Sequence, residues 1–208
     1  MNTNQILDRI RTAVRHLMAR IARFLDSVSG GRITPNAVTY TSLLAHLPIM
    51  WLIANGQFVL AAVLLVFFGL FDTLDGELAR LQKRASNKGM FLDSVTDRVK
   101  EVFLYIGAAA YFVTSAEPII AVWAVAACGI AVIVSYLNAW GEVVTADLPK
   151  ETHTKNKAFR NGIMSYDIRI FTIVLGLAIG ILDIALITIA VLSAVTALQR
   201  FSNVYRRL

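Results

Sequence analysis

Residues 58–98 read FVLAAVLLVFFGLFDTLDGELARLQKRASNKGMFLDSVTDR. An apolar run leads directly into a stretch that holds four aspartates, Asp72, Asp75, Asp93 and Asp97, within 26 residues. A carboxylate at membrane depth is costly, so it usually faces a wet cavity and serves a function. The sequence therefore predicts that this segment carries the chemistry of the protein.

The spacing of these residues predicts a shared site on two helices. If the apolar run continues as a helix, a single stripe holds Asp72, Asp75, Gly76, Ala79 and Arg80. The other two aspartates are four positions apart on the next helix, and a tight helical hairpin would bring the two faces together. Their mutual repulsion calls for a cation, and hard divalent ions prefer oxygen ligands. A divalent ion beside an arginine and a gap left by small residues predicts a pyrophosphate site.

The composition points to a membrane protein. Of 208 residues, 57% are hydrophobic and only 16% are charged, whereas a soluble domain is usually nearer a quarter charged. The formal net charge is +6. In so apolar a chain, we expect this charge to attract anionic lipid headgroups and anionic substrates rather than nucleic acid.

Six apolar stretches have about the 20 residues that a helix needs to cross a bilayer. They cover residues 36–55, 57–81, 90–115, 118–143, 164–181 and 183–203. The predicted fold class is an all-α integral membrane protein with six transmembrane helices. The connections between the first and second, third and fourth, and fifth and sixth stretches contain no Lys or Arg. The basic residues are instead found in the segments on the other side of the membrane, namely the N-terminal arm, the 83–88 and 150–160 loops and the C-terminus. The positive-inside rule then predicts cytoplasmic termini and an active site at the cytoplasmic face of the cell membrane.

The N-terminal arm has an amphipathic pattern. Arginines separate apolar residues that recur at steps of three or four, namely Ile6, Ile10, Val14, Leu17, Ile21 and Phe24. This pattern is typical of a helix lying in the membrane interface, although a helix packed on its own protein would show it too. We predict a cytoplasmic interfacial arm of residues 1–35, followed by a single six-span domain of residues 36–208.

The aspartate segment resembles the signature of the CDP-alcohol phosphotransferase (CDP-alcohol phosphatidyltransferase, class I) family at every fixed position. The matching residues are Asp72, Asp75, Gly76, Ala79, Arg80, Gly89, Asp93 and Asp97. The resemblance extends over essentially the whole chain. It implies an integral membrane enzyme, and a homodimer, that transfers the phosphatidyl group of a CDP-activated lipid to a small alcohol and releases CMP in phospholipid biosynthesis.

The resemblance also implies roles for individual residues. Asp72, Asp75 and Asp93 would ligate Mg²⁺ or Mn²⁺, while Asp97 would lie at the metal site and act as the base that activates the acceptor hydroxyl. The CDP-lipid would contact a larger set, comprising Asn36, Ala37, Val38, Thr39, Gly76, Ala79, Arg80 and Ser86. Without the resemblance, the residues from Pro35 to Thr39 would be interpreted as the start of a helix after the helix-breaking cluster SGGRITP.

The acceptor is less well defined. Family members that use inositol phosphate carry a lysine and an arginine where this chain has Asn138 and Trp140, and an acidic–basic pair where it has Ser165 and Tyr166. A phosphorylated acceptor needs cationic partners, so these departures weigh against inositol phosphate. The remaining candidate acceptor-binding residues are Asn138, Glu142 and Arg169.

Several alternatives remain open at this stage. The enzyme could be a phosphatidylglycerophosphate or a phosphatidylinositol-phosphate type synthase, and its donor could be a diacyl or an archaeal ether lipid. A cation-coupled transporter with an acidic ion site is an alternative from another class, and a membrane adaptor that keeps the fold without the activity is a third. A transporter would not need the glycine, alanine and arginine that follow the first two aspartates.

Overall fold

The computed structural model describes residues 3–146 and 162–206, with side chains from residue 12 onward. Every regular element in these residues is an α-helix. In chain order they are α1 (Thr3–Ser29), α2 (Pro35–Ala54), α3 (Phe58–Gly69), α4 (Phe71–Leu81), α5 (Asn87–Val113), α6 (Ile120–Val144), α7 (Tyr166–Ile179) and α8 (Leu182–Tyr205). The prediction of an all-α protein is confirmed over these ranges. The basic loop KETHTKNKAFR (150–160) lies outside the described residues.

Four of the described segments are long and apolar enough to cross a membrane. They are Pro35–Ala54, Phe58–Leu81, Ile120–Val144 and Leu182–Tyr205. Each agrees within a few residues with a predicted span. The segment Phe58–Leu81 contains both α3 and α4, because Leu70 between them keeps right-handed helical backbone angles. The length and composition of these four segments are consistent with the predicted membrane character of the chain.

The other two predicted spans are also helical, but one contains several charged residues and the other is short. Helix α5 has 27 residues, and its first half carries Asp93, Asp97, Arg98 and Lys100. Helix α7 has only 14 residues, about 21 Å of helix at 1.5 Å per residue, before Gly180 ends it in the left-handed conformation. The count of six spans remains a prediction.

The described chain forms two compact units. The first contains Met1–Ile49 and Val63–Lys100, and the second contains Met50–Ala62 and Glu101–Leu208. In the first unit, helix α1 packs on α4. The core there consists of the buried residues Met18, Ala22, Val38, Leu74 and Leu78. The predicted division into an arm and one domain remains a prediction.

The packing of α1 decides between the two interpretations of its amphipathic pattern for part of the helix. Val14 and Ile21 pack against the core of the first unit. Leu17 and Phe24, from the same predicted stripe, are 53% and 66% exposed. One edge of the stripe therefore binds the protein itself, while the other leaves apolar surface available. An interfacial position for this exposed edge remains a prediction.

Small residues allow close helix packing in the second unit. Helix α6 presents Ala124, Ala127 and Ala131 to the interior, and all three are almost fully buried. It packs along α8, where Arg200 donates a hydrogen bond of 3.0 Å to the carbonyl of Val134. Short side chains let the two helix backbones approach each other, so dispersion contacts and this buried bond hold the pair together.

The α7–α8 hairpin depends on a close approach at Gly176. A Cβ atom at this position would lie 2.6 Å from the Cβ of Ala185, well inside van der Waals contact. Gly176 is buried, and its carbonyl also accepts a hydrogen bond of 2.9 Å from the backbone of Ile181. Any side chain at position 176 would therefore push the two helices apart.

We predict that Gly176→Leu lowers the midpoint of thermal unfolding in detergent, since forcing bulk into a packed interior costs about 1–3 kcal/mol. Gly129→Leu is the matched control, because no atom lies within 4 Å of a Cβ built there. Equal midpoints for the two variants would contradict the close packing of α7 on α8.

Candidate active site

The acidic segment forms one side of a cavity in the first unit. The volume is about 510 Å³, and the lining residues are Val14, Arg15, Asp72, Thr73, Asp75, Gly76, Arg80 and Asp93. Helix α4 supplies most of these residues, since they recur at the three- and four-residue steps that place side chains on one face. The structure thus brings together Asp72, Asp75, Gly76, Arg80 and Asp93, all of which were candidate site residues.

Lys100 lies between the carboxylates of two helices. Its ammonium nitrogen is 2.5 Å from Asp72 Oδ1 on α4 and 2.8 Å from Asp97 Oδ1 on α5. The lysine side chain is only 1% exposed. Buried carboxylates this close would repel each other strongly without a compensating charge. Lys100 therefore balances part of the negative charge and fixes the distance between these two aspartates.

A polar stripe on α2 lies next to the first two aspartates. The hydroxyl of Thr39 donates a hydrogen bond of 2.5 Å to Asp75 Oδ2, and both residues are buried. One turn further along, the hydroxyl of Ser42 lies 3.5 Å from Asp72 Oδ1 and donates to the carbonyl of Phe68. His46 Nδ1 is 2.7 Å from the carbonyl oxygen of Ser42. Residues 39, 42 and 46 share one face of the helix, so α2 presents hydroxyls to the acids of α4.

The donor set fits a hard divalent cation. Three carboxylates, those of Asp72, Asp75 and Asp93, line the cavity. Asp93 Oδ1 is buried and has no hydrogen-bond partner among the described residues, which leaves a carboxylate oxygen available to a ligand. In the present side-chain arrangement, no three acidic, histidine or cysteine residues of the described chain are close enough together to hold an ion. Binding would therefore require the carboxylates to turn toward a common centre.

Two arginines share one carboxylate at the rim of the cavity. Arg80 Nη2 lies 2.6 Å from Glu77 Oε1, and Arg15 Nε on α1 lies 3.3 Å from the same oxygen. The two arginine side chains are 55% and 63% exposed, whereas that of Glu77 is 14% exposed. The rim therefore holds two accessible guanidinium groups next to the acidic interior.

Two glycines of the signature have different surroundings. A Cβ at Gly76 would lie 3.7 Å from the guanidinium of Arg80, an ordinary van der Waals contact, and both residues line the cavity. Gly89 lies in the first turn of α5, where its N–H donates a hydrogen bond of 3.1 Å to the hydroxyl of Ser86. Ser86 therefore caps the helix that carries Asp93 and Asp97, and its hydroxyl is exposed.

The remaining candidates for the CDP-lipid site differ in burial. Asn36 and Ala37 are exposed at the start of α2, and Ala79 is half-buried on α4. Val38 belongs to the apolar core of the first unit. Among residues 36–39, Thr39 is the one whose side chain donates a hydrogen bond to an aspartate of the signature.

The candidate acceptor-binding residues lie in the second unit and contact protein groups. Asn138 Nδ2 is 3.5 Å from Glu142 Oε1, one turn away on α6. Arg169 is 1% exposed and makes a two-pronged ion pair with Glu101, with Nε–Oε1 and Nη2–Oε2 distances of 2.5 and 3.0 Å. It also donates to the carbonyl of Met164. Most of the guanidinium is thus committed to structural contacts, and an acceptor role for these three residues remains a prediction.

Sequence reasoning missed Lys100, Ser42, Glu77 and Arg15 as groups around the cavity. Lys100 had a local signal, because it lies three positions after Asp97 and therefore on the same helix face. A faint signal for Ser42 was its spacing from Thr39 and His46, which places these three polar residues on one face of a mostly apolar helix. The sequence carried no signal for Arg15, because the other arginines of α1 also lie between the apolar residues of the helix.

Comparison with known proteins gives a family and several relatives for this chain. The CDP-alcohol phosphatidyltransferase pattern matches residues 32–200. The archaetidylinositol phosphate synthase of Methanothermobacter thermautotrophicus is 29% identical over 195 residues, which cover 90% of this chain and 92% of that protein. The phosphatidylinositol phosphate synthase of Cutibacterium acnes is 27% identical, covering 97% and 98% of the two chains.

A third relative matches only in part. The archaetidylinositol phosphate synthase of Pyrococcus horikoshii is 34% identical over 104 residues, which span 50% of this chain and 54% of that protein.

The fold is also similar to that of a solved structure. The Mycobacterium tuberculosis phosphatidylinositol phosphate synthase with CDP-DAG bound gives a TM-score of 0.79 at 22% identity, over 91% of this chain and 94% of the other. At that identity the likeness establishes the fold alone. The resemblance carried by the aspartate signature is confirmed, and with a pattern match over residues 32–200, this chain belongs to the CDP-alcohol phosphatidyltransferase family.

Proposed function

We propose that this protein transfers the phosphatidyl group of a CDP-activated lipid to the hydroxyl of a small alcohol, with release of CMP, in a reaction that depends on Mg²⁺ or Mn²⁺. The observation that carries the proposal is the cavity lined by Asp72, Asp75, Asp93 and Arg80, together with the buried oxygen of Asp93 that has no hydrogen-bond partner in the described part of the chain. The M. tuberculosis synthase has been solved with manganese and citrate, which supports a divalent ion in a protein of this fold.

The three cavity aspartates would hold the ion, which when bound neutralises phosphate oxygens and stabilises the charge that develops during phosphoryl transfer. Arg80 binds a phosphate through its guanidinium, for which Glu77 now serves as the partner. Thr39 fixes the rotamer of Asp75 through its short hydrogen bond. The acyl chains of the donor remain in the bilayer while the nucleotide enters the cavity.

Asp97 acts as the general base. Its pairing with Lys100 leaves lone pairs on the carboxylate free to accept a proton from the acceptor hydroxyl. The resulting alkoxide oxygen attacks the lipid-side phosphorus, the bond from that phosphorus to the CMP oxygen breaks, and CMP leaves. Lys100 keeps Asp97 beside Asp72, so the base stays next to the phosphate-binding groups.

Two observations point to different acceptors. Two relatives that match at least 90% of the chain are named as synthases of inositol phosphate lipids, which favours inositol phosphate. The uncharged side chains of Asn138, Trp140, Ser165 and Tyr166 favour an alcohol without a phosphate. Release of CMP from CDP-diacylglycerol and from an archaeal CDP-ether lipid, measured with inositol phosphate, glycerol phosphate, serine and inositol, distinguishes them. Absence of CMP release with every pair would instead favour the cation-coupled transporter.

We further propose six membrane spans, with α5 and α7 as the two additional ones, cytoplasmic termini, and a homodimer in the cell membrane. The distribution of Lys and Arg supports this orientation, because the basic residues collect on the side that holds the aspartate segment.

We predict that Asp97→Asn lowers the rate of CMP formation by about 10²–10⁴-fold, since an amide cannot take the proton from the acceptor. Binding of the CDP-lipid should change little, because the three cavity aspartates remain. Asp183→Asn, at the start of α8, is the control. Full turnover in the Asp97 variant would refute its assignment as the base.

We predict that Asp75→Ala abolishes the increase in CMP affinity that Mn²⁺ produces, because it removes one of three oxygen ligands from the cavity. Calorimetric titration of CMP with and without Mn²⁺ measures this. The same Mn²⁺-dependent increase in the variant and the wild type would count against the metal site.

We predict that Thr39→Val weakens Mn²⁺ binding by about 10–100-fold, the usual effect of losing a group that orients a metal ligand. Thr41→Val is the matched control, because the Thr41 hydroxyl makes an exposed hydrogen bond of 2.8 Å to the backbone of Ala37 on the same helix. Titration of Mn²⁺ by electron paramagnetic resonance gives both affinities, and equal values would remove Thr39 from the site.

A further inference from the structure

Arg15 is a cavity residue that the signature does not explain. It lies on α1, before residues 32–200, which match the family pattern, and it lines the same cavity as Asp72, Asp75, Asp93 and Arg80. The neighbouring residue Val14 also lines this cavity and packs against the core of the first unit. The position of Arg15 is therefore set by the packing of α1 on α4.

A phosphate in the cavity needs more positive charge around it than Arg80 alone supplies. An anionic phosphate must approach a cavity lined by three carboxylates, which repel it. Arg80 is paired with Glu77, so these two groups together carry no net charge. Arg15 contacts the same carboxylate oxygen, and the cluster of Arg15, Glu77 and Arg80 therefore carries a net charge of +1.

The geometry of this cluster suits a phosphate group. Because Glu77 Oε1 lies 3.3 Å from Arg15 Nε and 2.6 Å from Arg80 Nη2, the two guanidinium groups are held near each other. Both arginine side chains are more than half exposed, so N–H donors remain accessible to a ligand. Planar guanidinium groups match the spacing of phosphate oxygens and bind them through paired hydrogen bonds.

We propose that Arg15 is a second phosphate-binding residue of the active site, held beside Arg80 by Glu77, so that helix α1 takes part in substrate binding. The ligand is a phosphate group of a substrate, either in the diphosphate of the CDP-lipid or on a phosphorylated acceptor. The proposal rests on the proposed function for the identity of the substrates, but the binding step can be measured without turnover.

The test compares Arg15→Gln with Arg20→Gln in the full-length protein. Arg20 is exposed on the same helix and does not line the cavity, so both variants lose the same charge from a helix predicted to lie near acidic lipid. The measurements are the affinity for CDP in the presence of Mn²⁺, and the KM values for CDP-diacylglycerol and for inositol phosphate. Arg15→Lys keeps the positive charge but removes the planar guanidinium group, so it tests whether the paired N–H donors contribute to binding beyond the charge.

We expect Arg15→Gln to weaken one of these substrate affinities about tenfold, with Arg15→Lys recovering part of the loss and Arg20→Gln unchanged. A loss in CDP affinity and donor KM assigns the donor diphosphate, and a loss confined to the acceptor KM assigns the acceptor phosphate. Unchanged affinities in Arg15→Gln, or an equal loss in Arg20→Gln, would overturn the proposal.

The outcomes also separate this inference from the proposed function. If the wild type releases no CMP with any acceptor but CDP affinity still falls in Arg15→Gln alone, the inference stands and the proposed function fails. If the wild type is active and Arg15→Gln has the same affinities as the wild type, the proposed function stands and the inference about Arg15 fails.

Discussion

The structure of the first unit depends on how it accommodates several negative charges in a small, poorly solvated volume. Asp75 is 6% exposed, and Asp72 and Asp97 are each within 3 Å of the same buried ammonium group. Carboxylates in such surroundings are tolerated only when cations and hydrogen-bond donors offset the loss of water. Lys100 supplies the charge and Thr39 a donor, while one buried oxygen of Asp93 has no hydrogen-bond partner among the described residues. The proposed cation site rests on this incomplete compensation.

Apolar packing gives these polar groups fixed positions. Leu74 and Leu78 lie on the buried face of α4 and pack against Met18 and Ala22 of α1. Asp72 and Asp75 lie on the neighbouring face of the same helix, so burial of the leucines determines where the carboxylates point. Helix α1 therefore contributes to the site in two ways, through the core that orients α4 and through the arginine that it brings to the rim.

In the second unit, buried charges are paired with each other. Arg169 and Glu101 are 1% and 3% exposed and form a closed pair, with Tyr105 donating a further hydrogen bond to the glutamate. In this pair the charges are matched one to one, and the guanidinium also bonds a backbone carbonyl, so the arrangement resembles a structural ion pair. The aspartate cavity has more acids than bases around it, and the proposed binding site rests on that difference.

The sequence by itself determined the helical membrane fold, most helix boundaries and the aspartate stripe, because these follow from local periodicity. Helix α2 was predicted at 36–55 and occupies 35–54, and Asp72, Asp75, Gly76 and Arg80 share a face simply because a helix has 3.6 residues per turn. Only the tertiary structure showed that Thr39 bonds Asp75, that Lys100 joins Asp72 to Asp97, and that Arg15 reaches Glu77 from 62 residues away. Such contacts depend on which faces of different helices meet. Burial of all the apolar side chains together decides that, and no local pattern encodes it.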